Sequence, residues 1–90
     1  MSININDITN IDNIIDIRDS INYKNNHYLN IRNIPKNILL ASPDIYLNKN
    51  EEYYLMCYSG IQSMFASKIL NALGYKCYSI DGGLKSIKNI

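Results

Sequence analysis

Five consecutive positions, Tyr53-Tyr54-Leu55-Met56-Cys57, are all apolar or aromatic. A strand with no polar face has to be covered on both sides, which is the situation of a central strand in a parallel sheet. A helical pattern follows from Ser63 to Leu73. Phe65, Ala66, Ile69, Leu70 and Leu73 recur at helical spacing and predict one apolar stripe turned to the core. Ser67, Lys68 and Asn71 then fall on the other side, and Gly74 is placed to end the helix in the left-handed conformation.

The flanking segments extend this alternation. Ile14 to Ile17 is a short β-branched run and predicts a buried strand. Asp19-Ser20 predicts the N-cap of a short helix through Tyr23 and Lys24. Ile31 to Ile34 predicts another extended piece, stopped by Pro35, and Ile38 to Ala41 a turn or two of helix ending near Ser42-Pro43. Lys76 to Ile80 predicts a further strand, Asp81-Gly82-Gly83 a turn, and Leu84 to Ile90 a short last helix. Strands and helices in alternation predict βαβ units, an α/β fold with a mostly parallel sheet. A length of 90 residues predicts one domain over residues 1–90, since a second core does not fit.

Charge and composition exclude several classes. Nine basic and eight acidic side chains give a net charge of +1 with no block of like charge, which argues against a nucleic-acid partner. The longest apolar runs fall far short of the ~20 residues that a membrane span needs. Met1 to Asn6 lacks the basic and apolar regions of a signal peptide, so a cytoplasmic location is expected. Two cysteines and one histidine, without Cys-x-x-Cys, make a zinc site a poor reading. In a reducing compartment the two thiols stay free.

One of them stands where chemistry is expected. Between the best strand and the best helix lies Cys57-Tyr58-Ser59-Gly60-Ile61-Gln62-Ser63. In open α/β sheets ligands bind just past the carboxyl ends of the strands. The loop runs into a helix N-terminus, whose first N–H groups lack partners and carry about half a positive charge. Gly60 permits the positive φ that lets successive amides curl into an anion-binding nest. These features favour thiolate, the nucleophilic form, at Cys57. Cys77 lies inside an apolar strand with no such loop after it and reads as core. His27 reads as a hydrogen-bonding loop residue. Asp16 and Arg18 are expected to pair internally or to brace loop backbone near the site.

Several short motifs occur in order along the chain. They are Ile15-Asp16-Ile17-Arg18, His27, Asn33-Ile34-Pro35, Met56 to Gly60 with Ser63 and Ala66, Leu73-Gly74-Tyr75, and Tyr78 to Leu84. Together they resemble the single-domain rhodaneses, the thiosulfate sulfurtransferase group, from about Ile14 to Leu84. The resemblance implies a five-stranded parallel sheet flanked by helices on both faces. It also implies transfer of a sulfane sulfur through a cysteine persulfide, with no metal or organic cofactor. Cys57 matches the family's nucleophile. The residues Tyr58, Ser59, Gly60, Ile61, Gln62 and Ser63 match its substrate cradle, whose short length goes with sulfur substrates rather than larger oxyanions. Many members carry Arg where this chain has Gln62, so a charge that attracts an anionic donor is missing from the loop. Asn26 replaces the Gly before the family's His, and Ile87 stands where a Trp is frequent.

The expected donor is a small anion such as thiosulfate, or a low-molecular-weight persulfide. The expected acceptor is a thiol, with a thiol-bearing protein among the candidate partners. Two alternatives stand beside this reading. One is a non-catalytic module of the same fold that relays sulfur or docks a partner. The other is a cysteine phosphatase or arsenate reductase, which would place Arg six residues after the Cys, where this chain has Ser63.

Overall fold

Strand β4 (Glu52–Met56) occupies the middle of the sheet in the computed structural model, which describes residues 1–87. Beside it run β5 (Lys76–Ile80) on one flank and β2 (Ile14–Asp16) on the other. Strand β1 (Ser2–Ile3) lies outside β5 and β3 (Arg32–Asn33) outside β2. The order is β1-β5-β4-β2-β3, and every pairing is parallel. The carboxyl ends of all strands therefore share one edge, and Cys57 follows directly on β4 at that edge.

Alternation along β4 divides the core into two layers. Tyr53, Leu55 and Cys57 point to one face and join Ile15, Ile17, Ile34, Leu39, Ala66, Leu70 and Cys77. Helices α2 (Lys36–Ala41) and α4 (Ile61–Ala72) cover that face. Met56 points to the other and meets Ile14, Ile31, Ile80 and Leu84, with Tyr23 of α1 (Ser20–Asn25) packed against them. The expected α/β sheet with helices on both faces is thus present. The cap on α1 also forms as expected, Asn22 N–H donating to Asp19 Oδ1 at 2.8 Å.

Other expectations need correction. Sequence periodicity does not reveal β1 or the short helix α3 (Pro43–Tyr46), where the helix after Pro35 was expected to end the helical region. The expected last helix is, over its described part, a single 3₁₀ turn at Leu84–Ser86, and residues 88–90 lie outside the described residues. The largest correction concerns α4. Ala66 and Leu70 are buried as expected, but Phe65, Ile69 and Leu73 are 60%, 48% and 51% exposed. The face that meets the sheet is Ser63, Ala66, Ser67 and Leu70. Small residues let the helix axis approach the strands closely, and each buried hydroxyl has a partner, Ser67 Oγ donating to Met64 O at 2.9 Å. Asn71 is not a free solvent residue either. Its side chain accepts from Cys77 N–H at 2.7 Å and donates to Cys77 O at 2.9 Å, tying the helix end to β5. Among the described residues no helix is long and apolar enough to cross a membrane.

The two apolar rows of α4 should separate in stability measurements. Leu70→Ala is expected to lower the unfolding free energy by about 2–5 kcal/mol. Phe65→Ser should change it by less than about 0.5 kcal/mol. Urea denaturation of both variants checks this, and equal losses would contradict the observed helix orientation.

Candidate functional site

The loop after β4 has to reverse direction within four residues to start α4, and Gly60 makes that possible. Its φ of 96° lies in the left-handed region, where side chains are disfavoured. The resulting curl aims two backbone donors at one atom. Cys57 Sγ accepts from Gly60 N–H at 3.1 Å and from Ser63 N–H at 3.3 Å. The thiol can also donate to Ser63 Oγ, 3.4 Å away, and with the sulfur deprotonated the hydroxyl can serve as donor in the same contact. These groups are placed to hold the negative charge of a thiolate or persulfide at that position.

Ser63 is itself held in place. Its Oγ lies 2.6 Å from Ser79 Oγ, and both hydroxyls reach Gly60 O at 3.2 Å. Ser79 sits near the end of β5 and is buried, so a neighbouring strand supports the hydroxyl beside the sulfur. The sequence reading missed Ser79. Its only signal was a hydroxyl residue on the same strand face as Cys77, just before the glycine turn.

That turn closes the loop from behind. Leu84 N–H donates to Cys57 O at 2.8 Å and Lys85 N–H to Tyr58 O at 3.0 Å. A side chain at Gly83 has no room, since a Cβ there would lie 2.5 Å from both Cys57 O and Tyr58 O.

Cys57 is only 4% exposed, yet it lines a cleft of ≈ 520 Å³. Ile17, Arg18, Asn22, Lys36, Tyr58 and Gln62 are among the other walls. The volume is within the usual range for small-molecule sites. Arg18 and Asp16 pair as expected, with Nη2 2.8 Å from Oδ2 and Nε 3.1 Å from Oδ1. Arg18 Nη2 also donates to Asn26 O, joining the end of β2 to the chain after α1. Asp16 is fully buried and Arg18 forms part of the cleft wall, so the pair braces the site and borders it.

Of the remaining cradle residues, Tyr58, Ile61 and Gln62 have exposed side chains, Ser59 is half-buried, and only Tyr58 and Gln62 line this cleft. Ser59, Gly60 and Ile61 line a separate groove on the far side of the loop. His27 stacks on Tyr23 and bonds its carbonyl oxygen at 2.9 Å, away from the sulfur. Lys36, which the sequence reading did not single out, reaches the mouth from α2, its Nζ donating to Gln62 Oε1 at 2.7 Å. Cys77 is buried in the sheet, and that burial pushes its thiol up to about 12.

A model of the rhodanese-like domain matches residues 3–90. The chain belongs to that family. A Staphylococcus saprophyticus protein superposes with a TM-score of 0.82 at 25% identity, covering 94% of this chain and 90% of its own. A rhodanese-related protein from Thermoplasma volcanium gives 0.73 at 27% identity, over 81% of this chain and 72% of its own. The rhodanese-like domain protein of Staphylococcus aureus gives 0.72 at 28%, over 79% and 69%. No curated protein matches the sequence. The motifs named from the sequence thus belong to a rhodanese-like domain, with its five-stranded parallel sheet in place.

Two measurements test this geometry. Gly83→Ala should displace the loop and cut alkylation of Cys57 by a small anionic reagent at least about tenfold, whereas Cys77→Ala should leave it within about twofold. Comparable losses in both variants would contradict the role given to the turn. The Cys77 thiol also predicts a pH effect. The unfolded chain releases this proton near the ordinary value of 9.0, while the native state keeps it until about 12. Between those values the unfolded state binds fewer protons, so stability falls as pH rises. Tyr78, raised by its hydrogen bond to Glu52, acts in the same direction. A Cys77→Val variant isolates the cysteine: its unfolding free energy should decline less steeply over this range.

Proposed function

We propose that this rhodanese-like domain is a sulfurtransferase that carries a sulfane sulfur on Cys57. The observation that supports it best is the convergence of the Gly60 and Ser63 N–H groups on Cys57 Sγ at the floor of an open cleft. A buried structural cysteine has no use for two aimed donors, whereas a sulfur that must bear negative charge through two half-reactions does.

With thiosulfate as donor, the Cys57 thiolate attacks the outer sulfur. A new S–S bond forms, the old one breaks, and its electron pair leaves with sulfite. Thiolate and thiosulfate dianion give an enzyme persulfide anion and a sulfite dianion, so charge balances. In the second half-reaction an acceptor thiolate, or cyanide in an assay, takes the outer sulfur and returns Cys57 as thiolate. The scheme is ping-pong covalent catalysis and needs no general base once the thiol is ionised. The loop amides bind the anion in both states without reorganising. Asp16 and Arg18 keep the neighbouring strand end fixed. Nothing in this chemistry calls for a metal or an organic cofactor, and a reducing, cytoplasmic setting keeps both thiols free.

A second reading, a docking module that relays sulfur between proteins, is favoured by one feature. Ile61, Phe65, Ile69 and Leu73 form an exposed apolar row on α4 that begins inside the cradle loop. A thiol-bearing protein acceptor would fit beside it. In this reading the domain docks a partner or passively relays sulfur, without catalytic turnover of a small donor.

Intact mass spectrometry after incubation with thiosulfate tests the chemistry. The expected result is an added mass of one sulfur that cyanide removes and that Cys57→Ser abolishes. Uptake that persists in Cys57→Ser would rule out this nucleophile.

A further inference from the structure

The cradle loop itself carries no charged side chain between Tyr58 and Ser63. An anionic donor approaching an anionic sulfur therefore needs a cation from elsewhere in the fold. Two cationic side chains line the cleft, Arg18 and Lys36. Arg18 is committed: its guanidinium is neutralised by Asp16 and bonded to Asn26 O. Asp19, the one carboxylate among the lining residues, is occupied too, accepting from Asn22 N–H at 2.8 Å and Asn22 Nδ2 at 3.0 Å.

Lys36 differs. Among the described residues it makes no ion pair. Its backbone is fixed, because Lys36 N–H donates to Ile17 O at 2.9 Å and so hangs from the end of β2 beside the site. Its side chain is half-buried, and its ammonium is held at the mouth by Gln62 Oε1 at 2.7 Å. A neutral amide oxygen orients an ammonium without cancelling its charge, so the full positive charge remains available to a ligand. The uncharged residue of the loop thereby acts as a bracket for a cation supplied by a different helix.

We propose that Lys36 is the anion-recognition residue of this cleft. Its ammonium, steered by Gln62, receives the anionic group bonded to the sulfur being delivered. That group is the sulfonate end of thiosulfate or the carboxylate of a small organic persulfide. The inference rests on the sulfur-transfer reading and assigns its donor to the anionic class. With the organic donor, the Cys57 thiolate takes the outer sulfur of R–S–SH, the S–S bond breaks with its electron pair leaving on R–S⁻, and the proton of the outer sulfur passes to that departing thiolate to give R–SH. The enzyme persulfide is again the anion. In both cases Lys36 sits opposite the leaving portion rather than the reacting sulfur, so it governs donor binding and leaves discharge of the persulfide untouched.

The test is single-turnover loading of Cys57, followed by mass, in the wild type, Lys36→Gln and Lys36→Arg. Three donors are used: thiosulfate, cysteine persulfide, and cysteamine persulfide, which has no carboxylate. Discharge is read separately with dithiothreitol, a neutral acceptor. Lys36→Gln should raise the half-saturating concentration of thiosulfate, of cysteine persulfide, or of both, by about tenfold. A loss confined to one assigns the sulfonate or the carboxylate. The wild-type decline of loading with added salt should flatten in this variant. Lys36→Arg should recover most of the affinity, and cysteamine persulfide and the discharge rate should be unaffected throughout. An equal loss with cysteamine persulfide would make Lys36 merely structural and overturn the assignment. So would wild-type loading unaltered by Lys36→Gln at low salt. A wild type that takes sulfur from none of the three donors overturns the sulfurtransferase reading and this one with it.

Discussion

One left-handed residue organises this molecule. Gly60 turns the backbone so that β4 passes into α4 within four residues, and the N–H groups released by that reversal point at a single sulfur. A β-carbon at this position would meet a backbone conformation that side chains resist and, at 3.2 Å, the amide nitrogen of Gly82. The close fit of α4 against the sheet depends on the same reversal. The buried face of the helix is built from Ser63, Ala66, Ser67 and Leu70, and Ser63 in its first turn donates its N–H to the Cys57 sulfur at the strand end. Packing and site geometry are therefore one arrangement.

Much of this was legible in the sequence for a simple reason. Elements that are apolar all round, or that end in glycine, leave a strong one-dimensional trace. β4, β5, the capped α1, the glycine stop of α4 and the cysteine at a strand-to-helix junction all follow from such traces. What could not be read shares a different origin. The orientation of α4 depends on which of two apolar rows meets the sheet, Phe65-Ile69-Leu73 or Ala66-Leu70, and periodicity alone weights the larger side chains. Tertiary packing chose the row with serines beside it. β1 has only two residues and is specified by its partner β5 rather than by its own composition.

The site shows the same division. Cys57 and Gly60 are adjacent in sequence to the loop they create, so local reasoning finds them. Ser79 and Lys36 arrive from β5 and α2, and nothing in their own surroundings announces the loop whose residues they bond. Charge shows the same division. Gln62 leaves the loop without a cation, as the sequence shows, and the fold places Lys36 Nζ of a different helix against its amide oxygen. Charge at a cleft belongs to the assembled walls and has no fixed address in the chain.

The hydrogen bonds from Leu84 and Lys85 to the carbonyls of Cys57 and Tyr58 carry a further consequence. They tie the β4–α4 junction to the turn at Leu84–Ser86, so local opening of that turn is expected to loosen the junction as well. Peeling that turn away, by a protease nick or by a partner that grips it, would release the main chain behind the sulfur and slacken the curl. The Leu84–Ser86 turn thus acts as a tensioner for the curl around the Cys57 sulfur.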